Sequence, residues 1–315
     1  MDKTQIEQQG LGKDRCVSPL TGLDDVTLLK TISAEQLIRD WRDGRLKIDI
    51  TEELHGHEEI YLYQCNQTKL KFFYPLDVAG SDGLYEKLQS IESYYMKDKW
   101  EHRVALEDLG GCEQILEIGS GFGAFVQSCI ERGLNARGIE LNEAAVVRAQ
   151  QLGLPVERLN LEHAAELYSE FFDAVCGFQV LEHVPNPRDF IDWSVKMLRP
   201  HGKLIYCVPN AESFLKYQYN LLDMPPHHML QFSKETFVTM QELFPLRLEK
   251  VRYEPLASYH VASYIKSCSH HFCSRCAPAK ILFNRYTNLF YKLCLMRGLR
   301  RLLVGQSLYV QFHRL

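Results

Sequence analysis

No stretch of the 315 residues stays apolar for the roughly eighteen positions that a membrane-crossing helix needs. The opening "MDKTQIEQQGLGKDR" lacks the apolar core of a secretory signal, so the expectation is a cytoplasmic protein. Internal repeats and low-complexity tracts are absent too, which leaves an ordinary globular organisation. The ten cysteines are scattered through the chain, several inside expected strands, and not gathered into a small framework, so reduced thiols follow. Acid is missing from one region only. Beyond Glu254 there is no Asp or Glu, whereas nine of the 36 Lys and Arg residues lie there. The 27 that remain face all 40 acids, so residues 1–254 carry −13 while the whole chain carries −4. The C-terminal segment is a separate electrostatic object.

What is present is a 46% hydrophobic content in a chain long enough for one large domain and an appendage. From residue 114 onward, short apolar runs ("QILEI", "NARGIE", "PVERLN", "DAVCGF", "KLIYCV", "RLEKVRY", "SLYVQF") alternate with helical patterns over 123–132, 143–152, 187–199 and 234–243. Strands alternating with helices predict an α/β domain with a mainly parallel sheet. Residues 1–110 read differently, with β-like "YLYQC" and "KFFYP" and then helical "GLYEKLQSIESYY". The expected division is a small N-terminal module over 1–110 and a main domain over 111–315, with insertions at about 210–232 and 257–304.

"QILEIGSGFGAF", residues 114–125, joins the first of these strands to three glycines at alternate positions, Gly119, Gly121 and Gly123. The turn falls at the C-terminal edge of a strand, where α/β sheets bind ligands. A dinucleotide fingerprint would need glycine where Ala124 stands. Glu117 precedes the first glycine by two places, where a diphosphate would have to lie, and its carboxylate suits a cationic ligand better.

This turn resembles that of the class I S-adenosylmethionine-dependent methyltransferases, and "QVLEHV" at 179–184 resembles their small-molecule group, such as the ubiquinone-biosynthesis O-methyltransferases. The likeness runs in order from 114 to 210. It implies a Rossmann-like seven-stranded sheet, mainly parallel with an antiparallel last strand, and S-adenosyl-L-methionine as cofactor. By the same likeness, Glu117, Gly119, Ser120, Gly121 and Gly123 surround the amino acid part of the cofactor. Glu140, with Leu141 beside it, meets the ribose hydroxyls, Asn160 and Leu161 lie near the adenine, and Phe178 and Gln179 open the loop after the fourth strand. Some of that group hold a divalent ion with E-x-x-E-H in this loop. Here the first position is Gln179, which removes an anionic ligand, so no metal is expected. The loop also lacks the Asn/Asp-Pro-Pro-aromatic motif of base methylation, and the body is acidic, so no nucleic-acid partner is expected.

The acceptor is then a small molecule. The first reading is O-methylation of a metabolite, a lipid-linked intermediate or a sugar. C- or N-methylation on the same fold and non-catalytic cofactor binding stand beside it. "LLDMPPHHMLQFSKETF" follows the fifth strand: Pro225 and Pro226 stiffen it, and Ser233 reads as the N-cap of the next helix. His227 and His228, with His183 of "LEHV", are the candidate bases for a hydroxyl acceptor. Their alternative role is to tie the loops down by hydrogen bonds.

Three further features carry expectations. "CVSPLTG" and "YLYQCNQTKLKFFYP" resemble the knuckles of the zinc ribbon that opens related methyltransferases, but keep Cys16 and Cys65 with Thr21 and Thr68 at the second positions, too few thiolates for zinc. Tyr94, Tyr95 and Trp100 could cover the cofactor cleft or belong to the core. "CSHHFCSRC" crowds Cys268, His270, His271, Cys273 and Cys276 into nine residues, without a second pair at knuckle spacing, and reads as chance clustering. Finally, the basic 264–304 segment suits amphipathic helices that either lie on an anionic membrane or pack on the acidic body.

Overall fold

Ser33 ends the first strand and caps the first helix, its hydroxyl accepting from the amide of Gln36. In the computed structural model, which describes residues 16–89, 99–276 and 278–315, this opens an antiparallel meander of β1 (Val26–Ser33), β2 (Glu59–Cys65) and β3 (Lys71–Tyr74). Helix α1 (Ala34–Asp43) lies between β1 and β2 and buries Leu37 and Trp41, four residues apart on one face. Helices α2 (Asp82–Gln89) and α3 (Trp100–Asp108) lead into the second sheet.

That sheet alternates strands and helices: β4 (Gln114–Ile118), α4 (Ala124–Ile130), β5 (Asn135–Glu140), α5 (Glu143–Gln151), β6 (Val156–Arg158), α6 (Leu161–Leu167), β7 (Phe172–Phe178), α7 (Pro187–Met197) and β8 (Leu198–Pro209). After a two-residue strand β9 (Leu230–Gln231) come α8 (Lys234–Leu243), β10 (Leu246–Pro255), α9 (Val261–Arg275), α10 (Ala279–Leu282), α11 (Arg285–Met296) and β11 (Val304–Arg314). Seven strands stand in the order β10-β11-β8-β7-β4-β5-β6. β11 alone runs against its neighbours, pairing antiparallel with β8 and with β10, which is the Rossmann-like arrangement expected. β7 is buried at every position but Asp173, the continuous apolar run of a strand covered on both faces. Successive strands fill the sheet outward from β4 in one direction and from β7 in the other. The crevice beyond the ends of β4 and β7 is therefore the switch point at which such sheets bind ligands.

The insertion after β8 does not hang free. β9 pairs with β3, Leu230 opposite Phe72 and Gln231 opposite Lys71, and completes a four-stranded sheet β1-β2-β3-β9. One apolar core consequently runs from Trp41 and Phe72 through Phe232 and Phe237 to Phe312. Helix α3, at the end of the expected N-terminal module, packs Val104, Ala105 and Leu109 against Ile115, Phe125 and Tyr309 of the large sheet. Its Asp108 carboxylate anchors it there, accepting from Lys250 Nζ at 2.8 Å, Arg252 at 3.0 Å and Tyr309 Oη at 3.0 Å.

The two segments read as knuckles lie side by side. Two matching turns, Gly22 N to Ser18 O at 2.8 Å and Lys69 N to Cys65 O at 2.9 Å, bring four positions together. The buried Cys65 thiol is hydrogen-bonded by Thr68 and Ser18, and Thr21 Oγ1 stands 3.9 Å from its sulfur. The fourth position is therefore Ser18, two residues after the expected Cys16, and hydroxyls fill the places of three thiolates. Cys268, His270, His271 and Cys273 are strung along the single helix α9, with Cys276 at its end. Among the described residues, the one close metal-ligating group lies elsewhere. Trp100 packs edge-on against Tyr309, 6.3 Å between ring centres; Tyr94 and Tyr95 lie outside the described residues.

Candidate active site

The glycine turn is built for close approach. Gly119, Gly121 and Gly123 all have positive φ, 67°, 52° and 77°, where a side chain is strained. A Cβ at Gly119 would also lie 3.0 Å from Val180 Cγ2, and one at Gly123 2.9 Å from Leu154 Cδ1. Glu117 ends up buried beneath this turn, and its Oε2 has no hydrogen-bond partner among the described residues. Burial raises its carboxyl from 4.5 to about 8. The buried Ser120 hydroxyl is likewise unpartnered. An orphaned acid beside a cradle of bare backbone fits a cation brought in by a ligand, so these residues suit the ammonium-bearing end of S-adenosylmethionine.

The other cofactor candidates divide. Glu140 Oε2 accepts from Gly121 N at 2.8 Å, and its Oε1 accepts from Leu141 N at 2.8 Å and Asn142 N at 2.9 Å. It therefore locks the glycine turn to the end of β5, with about one lone pair left for a ribose hydroxyl. The Leu141 side chain beside it is exposed. Asn160 is the N-cap of α6, its Oδ1 accepting from His163 N at 2.8 Å, and Leu161 begins that helix. Phe178 is buried between Phe125 and His102, ring centres 4.8 Å and 5.0 Å away, so its ring serves the core. Gln179, with φ 55°, turns the chain out of β7 while its amide donates to Cys207 O at 2.8 Å.

The three histidines converge from two loops. Their ligand nitrogens all lie within 4.8 Å of one another, a spacing that would also suit a metal ion. Each Nδ1 faces an acceptor. His183 Nδ1 lies 2.7 Å from His227 O, His227 Nδ1 lies 2.8 Å from Leu222 O, and His228 Nδ1 lies 3.4 Å from Asp223 Oδ1. The Nε2 atoms of His183 and His228 each lie 4.0 Å from Glu182 Oε1, beyond hydrogen-bond distance. Glu182 is 1% exposed and has neither oxygen partnered among the described residues. Burial lifts its carboxyl to about 8, lowers His183 to about 4 and drives His227 and His228 well below the usual imidazole value. The rings are therefore neutral at pH 7, as a base must be.

Sequence reasoning found the imidazoles and missed what holds them. Tyr85 donates to His227 O at 3.3 Å and touches His183 Nδ1 at 3.1 Å; nothing in "GLYEKL" marks it. Asp223, raised to about 6 by burial, stands five residues before His228, and its place in the same rigid turn was the available signal. A cleft of about 280 Å³ opens between β1–β3 and the 209–231 insertion. Asp223, Met224 and His228 line it, whereas His183, His227 and the glycine turn do not.

A family model described as a methyltransferase domain matches residues 88–253, more than half of the chain. The ubiquinone biosynthesis O-methyltransferase of Alkalilimnicola ehrlichii is 31% identical over 140 residues, 39% of this chain and 57% of that protein. The one from Dechloromonas aromatica is 28% identical over 162 residues, 46% and 70% of the two chains. The chain thus spans only 57% and 70% of the length of these two curated relatives. Among solved structures, an S-adenosylmethionine-dependent methyltransferase from Archaeoglobus fulgidus superposes with a TM-score of 0.47 at 17% identity, over 75% of this chain and 95% of that one.

Proposed function

Since the chain belongs to this methyltransferase domain family, we propose that it transfers a methyl group from S-adenosylmethionine to a small molecule and forms an O-methyl ether with His228 as base. The acceptor is a hydroxyl of a metabolite, a lipid-linked intermediate or a sugar. When bound, S-adenosylmethionine supplies an electrophilic methyl on a positively charged sulfur. Glu117 supplies the counter-charge for the cationic end of the cofactor, and Glu140 holds the turn that receives it. Methyl transfer is an in-line displacement, so what remains for the protein is to aim the hydroxyl and remove its proton.

His228 is singled out by one observation: it is the ring of the three that lines the cleft while a carboxylate, Asp223, faces its Nδ1. With the Nδ1 proton directed at Asp223, the Nε2 lone pair is the one available to the acceptor, and Asp223 offsets the charge of the imidazolium that forms. His183 and His227 are engaged with backbone carbonyls and position the loop.

The test is turnover with the purified protein and a panel of hydroxylated acceptors. His228→Ala is expected to lower kcat by about 10²–10⁴ with cofactor Kd unchanged. Because burial drives the His228 pKa below 6.5, kcat at saturating cofactor should be flat from pH 7 upward and fall only in acid. Activity that disappears on dialysis against a chelator and returns with a divalent ion would reassign the imidazoles from base to metal ligands, the use their 4.8 Å spacing also allows.

A further inference from the structure

The insertion between β10 and β11 carries a face that nothing in the described chain covers. Tyr286, Leu289, Phe290, Leu293 and Met296 recur at helical spacing along α11 and all are exposed, Tyr286 at 82% and Phe290 at 63%. The opposite side of the same helix supplies Tyr291 and Leu295 to a small core with Phe214, Leu256, Val261 and Ile265. Helix α11 is thus apolar on two sides, and one of them satisfies the packing. Ile281 at 74% and Leu302 at 82% extend the exposed apolar surface beyond both ends of the helix. Of the two alternatives for this segment, packing on the parent domain accounts for the inner stripe only.

Charge selects what the outer stripe meets. Lys280, Arg285, Lys292, Arg297 and Arg301 are exposed around it, and no acidic residue occurs after Glu254. Arg285 and Lys292 precede Leu289 and Met296 by four residues each, so they project along the margin of the stripe. A second copy packed stripe to stripe would bring like charges together with no acid in the segment to pair them. A surface that offers hydrocarbon below and anions above satisfies both features. We propose that α11 and its flanks dock this protein onto the surface of a bilayer rich in anionic phospholipid, with Leu289, Phe290 and Leu293 entering the acyl boundary and the Arg and Lys side chains meeting the headgroup phosphates. No described helix is long and apolar enough to cross a membrane, so the contact is peripheral. The inner side of α11 packs, through Tyr291 and Leu295, on the same small core as Leu215, which also lines the cleft. The Tyr217 ring lies 3.9 Å from that of His271 on α9, tilted by 34°, and the neighbouring Lys216 and Gln218 line the cleft too.

The experiment is co-sedimentation of the full chain with vesicles of phosphatidylcholine alone or with phosphatidylglycerol added, at low and high salt, alongside sedimentation velocity without lipid. The expected result is binding that requires phosphatidylglycerol and weakens with salt. Each Lys or Arg near an anionic surface raises partitioning about fivefold, so Lys292→Glu, Arg297→Glu and Arg301→Glu together should lower it at least about a hundredfold. Leu289→Asp with Phe290→Asp should abolish it at constant charge on the Arg and Lys residues. These exposed positions leave the melting temperature unchanged, which is measured in parallel. Indifference to phosphatidylglycerol vesicles at low salt overturns the proposal. So does a lipid-free dimer that the Leu289→Asp, Phe290→Asp variant dissociates, since a second copy then covers the face.

Discussion

Glu117→Gln keeps the shape of the side chain under the glycine turn and removes its charge, and it should move stability and affinity in opposite directions. In the ligand-free protein, burial holds the carboxyl at about 8, whereas in the unfolded chain it titrates near 4.5. Between those two values the unfolded chain has released a proton that the native state retains, so native stability falls as pH rises from 4.5 to about 8. Above pH 8 the difference corresponds to a destabilisation of at most about 5 kcal/mol. Glutamine removes that pH-dependent penalty. By differential scanning fluorimetry without cofactor, the variant should melt close to wild type at pH 5 and progressively higher than wild type toward pH 9. Calorimetry should show the reverse for S-adenosylmethionine. A hydrogen bond between charged partners contributes about 1.5–3 kcal/mol, so Kd should rise about tenfold to a hundredfold. If only the carboxylate form binds, the wild-type Kd should also rise about tenfold per pH unit below 8, with the variant flat over the same range. A melting difference that does not change with pH, together with a wild-type Kd that ignores pH, would show that Glu117 neither carries this charge nor meets the cofactor.

Other outcomes follow from the same geometry. Glu140→Ala strips partners from the amides of Gly121, Leu141 and Asn142 and should weaken cofactor binding at least tenfold, about 1.4 kcal/mol or more, by calorimetry; unchanged affinity removes Glu140 from the site. Asp223→Asn keeps the loop but withdraws the charge facing His228, so kcat should fall while cofactor Kd stays, and a loss confined to KM would assign Asp223 to acceptor binding instead. Ser18→Cys, Thr21→Cys and Thr68→Cys in one chain should recreate a four-thiolate site with Cys65. Sulfurs on tetrahedral zinc stand about 3.8 Å apart, and the Thr21 to Cys65 distance is already 3.9 Å. One zinc per chain by metal analysis is expected, and a content no higher than wild type would mean that the turns no longer match.

Much of the large sheet was legible because each strand was written in its simplest form. "NARGIE" became β5 residue for residue, and "DAVCGF" became β7 with one residue added, because apolar runs closed by turn residues leave the backbone few options. The glycine turn and Glu117 were legible for the same reason: positive φ at alternate residues has a direct sequence cost that glycine removes. What the sequence did not convey was long-range. Leu230 pairing with Phe72 joins residues more than 150 positions apart, and no local pattern reports it. Asn160, expected near the adenine, also caps α6 through its Oδ1, a second use that only the following helix reveals. Ser18 replaced Cys16 in the knuckle cluster because the turn, not the residue type, sets which side chain points inward. In the 264–304 segment the sequence suits amphipathic helices, but that α11 is apolar on two sides, one packed and one exposed, emerges only from the structure.

The histidine-bearing insertion is stapled from both flanks: Phe73 N to Met229 O at 2.9 Å and Gly80 N to Pro226 O at 2.8 Å on one side, Met229 N and Leu230 N to Glu182 O at 2.9 and 3.0 Å on the other. It is therefore ordered before any substrate arrives, and binding need not supply the entropy of arranging it. The distance from His228 to the ends of the parallel strands is set by the register of β9 on β3, so the N-terminal strands both wall the cleft and fix the depth at which His228 enters it. Because side chains alternate along a strand, a slip of one residue in that pairing would turn the row after Met229 to the opposite face. Phe72, buried in the core, and Phe73, on the cleft wall, thus hold the alignment of His228, and the proposed base takes its position from the N-terminal sheet.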